Sequence, residues 1–449
     1  MQFKLTALLL FLAIGSITAQ QKKWTLEECV AHAVDNNLSI EQFELDLENA
    51  QIDESDAFGN FLPNLNTQVR AAGNRGLSSD PITGSNFTAG IFTLSGNLSS
   101  NVTLYNGMRN KNQMRRAKMN AIASQYRLDD LKDDIRLNVA LSYLNVLSSK
   151  ESLKVFEAQY AVTEQDLKRT NELVVAGVLP KGDLLEIEAT SANLEQQIVN
   201  AQNQVIISQI TLAQLLQITD YANFDIADEA FEIPPSEVMN NTAKTIFDKA
   251  LTFRNDIKFS ESSVALTEKD LDISKGANYP TLSAFFNYNT SYSSRKQFDP
   301  MTQTSSRFDL VNQLWLFDGI VYGGQLNIPI FNGFSVKNSI KRAKINVEKA
   351  KVQLEQDKLA LETSINQAYV DVNSFHKSYQ AAEKTSEARR LAYQYSKERY
   401  DVGLMNSFDF SQAQSRVDNA EADLIRTKYD YIFSLKVLEF YFGIPITLN

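Results

Sequence analysis

The chain has 449 residues, 43% of them hydrophobic and 22% charged, with 17 glycines, 9 prolines and a formal charge of −10. That balance excludes a collagen-like or Pro/Gly-rich disordered chain, and a single cysteine excludes a disulfide scaffold. The acidic excess argues against nucleic acid as a partner, and two histidines leave few metal ligands or nucleophiles for an enzyme.

Residues 1–19 read as an export signal: Lys4 gives the positive start, residues 5–14 the apolar core, and Ile17-Thr18-Ala19 a small-residue cleavage site. The residue directly after Ala19 is Gln20 and not cysteine, so no N-terminal lipid modification is expected. Cys29 lies in the helical-looking Leu26-Glu27-Glu28-Cys29-Val30 and is expected as a small buried residue. After the signal no apolar run reaches the ~18 residues of a membrane helix. The mature chain is therefore soluble or crosses a membrane as strands.

The chain is built twice. Residues 101–218 recur at an offset of 226, pairing Asn106/Asn332, Gly107/Gly333, Arg116/Arg342, Tyr143/Tyr369, Gly177/Gly403 and Asp183/Asp409. Upstream the offset is 217, pairing Ala33/Ala250, Ile40/Ile257, Gly59/Gly276 and Pro63/Pro280. The difference falls between strand-like segments, where a loop absorbs it. Each half reads helix, strand, loop, strand, long helix, turn, helix. The expected division is a signal peptide at 1–19, a first repeat at 20–232 and a second at 233–449, joined near Ile233-Pro234-Pro235-Ser236.

The strand segments alternate. Leu65, Thr67, Val69 and Ala71 interleave with Asn66, Gln68 and Arg70, and Phe92, Leu94, Leu98, Val102 and Leu104 with Thr93, Ser95, Asn97, Ser99 and Asn101. Leu282, Ala284, Phe286, Tyr288 and Tyr292 repeat the pattern against Ser283, Asn287, Asn289 and Ser291. In a fourth strand Leu314, Leu316, Ile320, Tyr322, Leu326, Ile328 and Ile330 share one parity, though Trp315, Phe317 and Val321 make its other face less clean. Long two-faced strands suit a membrane barrel, apolar to lipid and polar to a lumen, better than a soluble sandwich. Four strands cannot close a barrel, and hydrocarbon does not tolerate an open edge. At least two chains must therefore contribute.

The helices carry a seven-residue period: Phe410, Val417, Leu424, Tyr431 and Leu438, with Ala413, Ala420, Thr427 and Ser434 three further on. Leu184, Ser191, Ile198, Val205 and Leu212 copy it in the first half, beside Ile187, Leu194, Ala201, Ser208 and Leu215. This is a coiled-coil seam, and its small residues let helix axes approach closely. The stretch 107–176 would extend ~105 Å as one helix at ~1.5 Å per residue.

These features resemble a family. Two tandem copies of helix, two strands and a long helical hairpin behind a signal peptide resemble the TolC-type outer-membrane efflux proteins. So do Trp24-Thr25-Leu26-Glu27-Glu28-Cys29, Leu104-Tyr105-Asn106-Gly107, Pro329-Ile330-Phe331-Asn332-Gly333 and Arg399-Tyr400-Asp401-Val402-Gly403-Leu404. Thr103 departs where the second copy has Pro329, and Gln412 stands where some members carry a second tip aspartate. The resemblance implies a mainly α chain with membrane β: a homotrimer whose four strands per chain make a 12-stranded outer-membrane β-barrel above a periplasmic α-helical tunnel. It implies a passive exit duct for tripartite efflux or type I secretion, in the outer membrane of a Gram-negative bacterium. A periplasmic adaptor would couple the duct to an inner-membrane pump, with no enzymatic step and no cofactor.

Candidate sites follow. Gly177, Val178 and Leu179, with Gly403, Leu404 and Met405, are expected at the periplasmic tips, where glycine ends a helix and exposed apolar residues offer an adaptor contact. Asp409 is the position the resemblance marks as gate aspartate, with Asp183 its repeat partner; either could instead serve the positive end of its helix. His32 and His376 have no ligand-spaced companions, so no metal site is expected. Tyr105, Phe331, Trp315 and Phe317 suit an interfacial aromatic belt or strand–helix packing equally. The alternatives are a periplasmic coiled-coil adaptor or structural protein without a pore, and a secreted carboxylate enzyme.

Overall fold

A computed structural model describes residues 22–79, 86–227, 237–295, 297–299, 304–306 and 309–445. The signal segment and the link at 233–236 lie outside the described residues. In chain order the elements are β1 (Lys23–Trp24), α1 (Leu26–Asn36), α2 (Leu38–Gly59), β2 (Asn66–Ser79), β3 (Asn86–Asn106), α3 (Arg109–Val175) and α4 (Lys181–Leu215). Then come β4 (Asp225–Ile226), a 3₁₀ turn (Glu237–Asn240), α5 (Ala243–Phe253), α6 (Asn255–Gly276), β5 (Thr281–Ser293), β6 (Gln297–Asp299) and β7 (Thr304–Ser306). The chain closes with α7 (Leu310–Leu316), β8 (Gly319–Asn327), α8 (Ser335–Asp401) and α9 (Ser407–Phe442).

Element boundaries keep the sequence offsets. α3 and α8 both span 67 residues and start 226 apart, while α1/α5 and α2/α6 start and end 217 apart. Left-handed backbone recurs too: Gly107 and Met108 (φ 68 and 64) match Gly333 and Phe334 (φ 60 and 64), and Gly177 (φ 71) matches Gly403 (φ 76). Glycine adopts that region at no steric cost, whereas Met108 and Phe334 are strained there. The same turn geometry, needed twice, is enforced twice.

In space the chain forms two compact units, each drawing on both repeats. The helical unit comprises residues through Leu45, Tyr126–Lys258 and from Glu355 onward; the β unit comprises Asp46–Gln125 and Phe259–Leu354. In the helical unit Val139, Ala140, Tyr143 and Leu144 of α3, Leu212 of α4, Ile246 of α5 and Ile432 and Leu435 of α9 all have no exposure. The heptad positions Val417, Ala420, Thr427, Tyr431, Ser434 and Leu438 of α9 are buried as their period requires. Two parallel pairs, Lys23↔Asp225 and Trp24↔Ile226, form a small sheet that sequence periodicity does not reveal. Lys150 from α3 fixes it, donating to Asp225 Oδ1 at 2.5 Å and Ile226 O at 3.2 Å. Cys29 is fully buried, and burial pushes its thiol up to about 12, so it is a packing residue.

The β unit holds an antiparallel sheet of order β2-β3-β5-β8. One row across it reads Thr67, Leu98, Tyr288, Ile320; the next reads Asn66, Ser99, Asn287, Val321. Residues opposite one another share a face, so Leu94, Leu98, Val102, Phe286, Tyr288 and Tyr292 lie on one side. Ser95, Asn97, Ser99, Asn287, Asn289 and Ser291 lie on the other. A register shift between Thr103 and Tyr105 brings Tyr105 opposite Leu282, so the expected parity of Leu104 ends there. The fourth strand needs correction as well. Leu314 and Leu316 belong to α7, and only Gly319–Asn327 is strand. An apolar run with aromatics on both parities fits a short helix as readily as a strand, and Gln313 settles it. Its buried amide caps the β5 end, accepting from Ser293 N at 2.9 Å and donating to Ser293 O at 3.1 Å.

Candidate functional site

The two hairpin turns lie in the helical unit, and both end their long helix in a Schellman motif. Val178 N–H donates to Leu173 O (2.9 Å) and Gly177 N–H to Val174 O (3.0 Å); Leu404 N–H donates to Arg399 O (2.8 Å) and Gly403 N–H to Tyr400 O (3.0 Å). Left-handed glycine is what permits this closure. The returning helices start differently. Pro180 begins α4 without a side-chain cap, whereas Asn406 caps α9 by accepting from Asp409 N–H at 2.7 Å.

Hydrogen bonds tie the two tips side by side. Ser407 Oγ donates to Asp183 Oδ1 (2.5 Å), Arg169 Nη1 to Asp401 Oδ1 (2.6 Å), Lys397 Nζ to Asp166 Oδ1 (3.1 Å) and Gln414 Nε2 to Thr163 Oγ1 (2.6 Å). Phe410 is the apolar anchor, stacked on Tyr400 at 4.4 Å and on Tyr393 at 5.6 Å. Burial raises the pKa of both tyrosines. Above the anchor Asp418 carries a carboxyl pushed up to about 7, by burial first and by Glu421 second.

The repeat-related aspartates differ. Asp183 is half-buried and engaged by Ser407, while Asp409 is exposed and held only by Asn406 of its own turn, whose amide donates to Oδ2 at 3.0 Å. Of the six tip residues, Gly177, Val178, Gly403 and Leu404 are exposed; Leu179 and Met405 are half-buried, contrary to the expected exposure. Val175, Val402 and Phe408 take their place on the surface. Phe408 was legible in principle, since it lies two positions before the core residue Phe410 and so on the opposite side of the helix.

The polar face of the sheet is an amide and hydroxyl surface, joined across strands by Asn97 Nδ2 donating to Asn289 Oδ1 at 2.5 Å. Its apolar face is uncovered, with Val69, Phe286, Ile320, Tyr322 and Leu326 all exposed, and the outer edges of β2 and β8 have no strand partner among the described residues. Trp315, Phe331, Tyr105 and Phe317 are exposed, and Phe331 meets Phe334 edge-on at 5.6 Å. Among the described residues no helix is long and apolar enough to cross a membrane, and no acidic, histidine or cysteine cluster suits a metal ion.

A profile described as outer membrane efflux protein matches residues 30–216 and 246–443, one block for each repeat. The chain is 21% identical over 296 residues to a probable efflux pump outer membrane protein, TtgC, of Pseudomonas putida, covering 64% of this chain and 54% of that one. It is likewise 21% identical over 301 residues to the outer membrane protein TolC of Escherichia coli, covering 66% and 59%. These matches span little more than half the length of those relatives. The Campylobacter jejuni CmeC outer membrane channel superposes with a TM-score of 0.78 at 20% identity, covering 93% of this chain and 85% of that one. At such identities the superposition establishes the fold.

Proposed function

The chain belongs to the outer membrane efflux protein family, and from that premise we propose that it is the exit duct of a tripartite efflux or type I secretion assembly in the outer membrane. The observation that carries this is the two-faced sheet with both edges open. Lipid would cover the row of Leu98, Phe286, Tyr288 and Ile320, and a water-filled lumen the row of Asn97, Ser99, Asn287 and Asn289. An open edge in hydrocarbon leaves backbone groups unsatisfied at several kcal/mol each. Three chains joined edge to edge make a closed barrel of twelve strands, with the hairpins as a periplasmic tunnel. The sequence division at 20–232 and 233–449 then gives six similar wall segments. A pore-free coiled-coil adaptor offers no use for such a sheet.

In this reading the tips carry the regulated end. Gly177, Val178, Leu179, Gly403, Leu404 and Met405, with Val175, Val402 and Phe408, form the surface a periplasmic adaptor grips, and that adaptor links the duct to an inner-membrane pump. The duct performs no reaction, and the pump supplies the work. Asp409 is the gate candidate that the geometry favours over Asp183. Its carboxylate is exposed and free to face a symmetry axis, where three would form an anionic ring, whereas Asp183 is already engaged by Ser407.

Single-channel recording of the purified protein in a planar bilayer tests this. Expected are discrete cation-selective openings blocked by multivalent cations, with both properties weakened by Asp409→Asn and less so by Asp183→Asn. A protein that inserts yet never conducts would overturn the duct.

A further inference from the structure

The helical unit carries a cavity of about 830 Å³ between α3, α4, α8 and α9, within the ~300–1,000 Å³ of small-molecule sites. Its lining follows helical spacing. Asn138, Leu141 and Asn145 share one side of α3, away from buried Val139 and Tyr143, and Asp371 and Phe375 share one side of α8. On α9 the stripe Asp430, Phe433, Val437 and Tyr441 runs beside the seam residues Tyr431, Ser434 and Leu438, which packing already buries. The coiled coil has no use for that second apolar stripe. With Phe375, it gives the cavity three half-buried aromatic rings and two half-buried carboxylates, and no basic residue lines it.

The repeat shows that folding does not demand this chemistry. At the positions 226 residues earlier, Asp371 and Asp430 are replaced by Asn145 and Gln204, and Phe375, Phe433 and Tyr441 by Ser149, Ile207 and Leu215. The first repeat builds the same long hairpin with neutral, non-aromatic residues there. Charge and rings belong to the second repeat alone. Asp371 forms no ion pair or hydrogen bond among the described residues. Asp430 pairs there with Arg426 alone, at 3.6 Å, and burial raises its pKa against that pairing. Arg254 lies 5.7 Å from the Tyr441 ring but is held by Asp256 at 2.6 Å.

A cation set against aromatic rings is attracted by their negative faces, and the two carboxylates add an attraction strengthened by partial burial. An anion of the same size is repelled by both. The amides of Asn138, Asn145 and Gln367, with no protein partner among the described residues, offer hydrogen bonds to a polar end. We propose that this cavity binds an amphipathic organic cation and that such cations are a cargo class of the duct. The cargo role rests on the duct reading above; the binding site stands on the cavity's own residues.

Tetraphenylphosphonium and tetraphenylborate have the same shape and opposite charge, so together they separate electrostatic recognition from apolar adsorption. Titrated calorimetrically into the purified full-length protein in detergent, the phosphonium should bind saturably and the borate roughly tenfold more weakly. Asp371→Asn should weaken the phosphonium roughly tenfold and Phe433→Leu roughly threefold, with the borate unchanged or tighter. Equal affinities for the two ions, or wild-type phosphonium binding by Asp371→Asn, mean apolar adsorption and overturn the site. So does an Asp371→Cys thiol that the native protein hides from a maleimide, since a neighbouring copy then fills the cavity. In a planar bilayer the phosphonium should reduce the single-channel current, and less so in Asp371→Asn. Charge-selective binding by a protein that never conducts overturns the duct and the cargo role and leaves the site; conduction without such binding overturns the site and leaves the duct.

Discussion

Between Val139 and Leu144, α3 buries Val139, Ala140, Tyr143 and Leu144 with no exposure at all, while from Gln159 to Thr170 the same helix buries Gln159, Thr163, Asp166 and Thr170. The first stretch belongs to the apolar core of the helical unit; the second meets the neighbouring hairpin through side-chain hydrogen bonds and the Asp166–Lys397 ion pair. Apolar packing has no substitute in water, at roughly 25 cal/mol per Å² buried. A hydrogen bond between side chains contributes only about 1 kcal/mol net, because water replaces either partner. One helix therefore carries a permanent joint and an exchangeable one. The tunnel proposed above would need both, a joint that stays assembled and an end that opens, and low local stability suits the opening end.

Breaking the core should have the largest effect. Tyr143 is fully buried, and its hydroxyl donates to Trp24 O at 3.2 Å. Tyr143→Ala should cost about 3–5 kcal/mol, seen as a lowered denaturant midpoint for the whole helical unit. Phe410→Ala removes a similar volume at the tip, so hydrogen exchange there should accelerate while the global midpoint moves less; equal global shifts would erase the distinction between the two stretches.

Asp418 gives the tip a pH dependence. Its folded pKa, about 7, lies above the ordinary carboxylate value near 4. The folded state thus holds the proton more tightly, and stability falls as pH rises from about 4 to about 7. Asp418→Asn should remove that fall, leaving tip exchange rates at pH 8 slower than wild type by the equivalent of about 1–2 kcal/mol. A profile unchanged by the substitution would place the titration elsewhere.

Smaller effects sharpen the contrast. Gln414→Leu alone should loosen the tip by about 1 kcal/mol, and adding Thr163→Val should recover part of it, because both partners of a buried bond are then gone. Gly403→Ala forces a side chain into a left-handed turn (φ 76) and should cost about 1 kcal/mol. That loss should appear in tip exchange and be absent from the core.

The permanent joint was legible in the sequence because a seven-residue period and a repeat at fixed offset both leave regular traces. Gly107, Gly177, Gly333 and Gly403 announced their turns through the backbone they require. The exchangeable joint left no such trace. Asp183 and Ser407 are 224 residues apart, and nothing local marks either as the other's partner. The fourth strand misled because Leu314 and Leu316 fit an alternating run as well as a helical turn. β1 and β4, two residues each, are too short to carry any period. Leu179 and Met405 were expected outside since turn residues usually are, but both are half-buried.

A barrel wall requires the apolar face of the sheet to meet lipid. Leu98 and Ser99 are adjacent, on opposite faces of β3, opposite Tyr288 and Asn287 respectively. An arginine facing the bilayer midplane costs about 2–4 kcal/mol in each chain, and one facing water costs little. The direct measurement is the amount of assembled, SDS-resistant protein in the outer membrane for Leu98→Arg and for Ser99→Arg. A lipid-facing Leu98 predicts near-complete loss for Leu98→Arg and near wild-type levels for Ser99→Arg; equal levels, or the reverse order, would contradict the barrel.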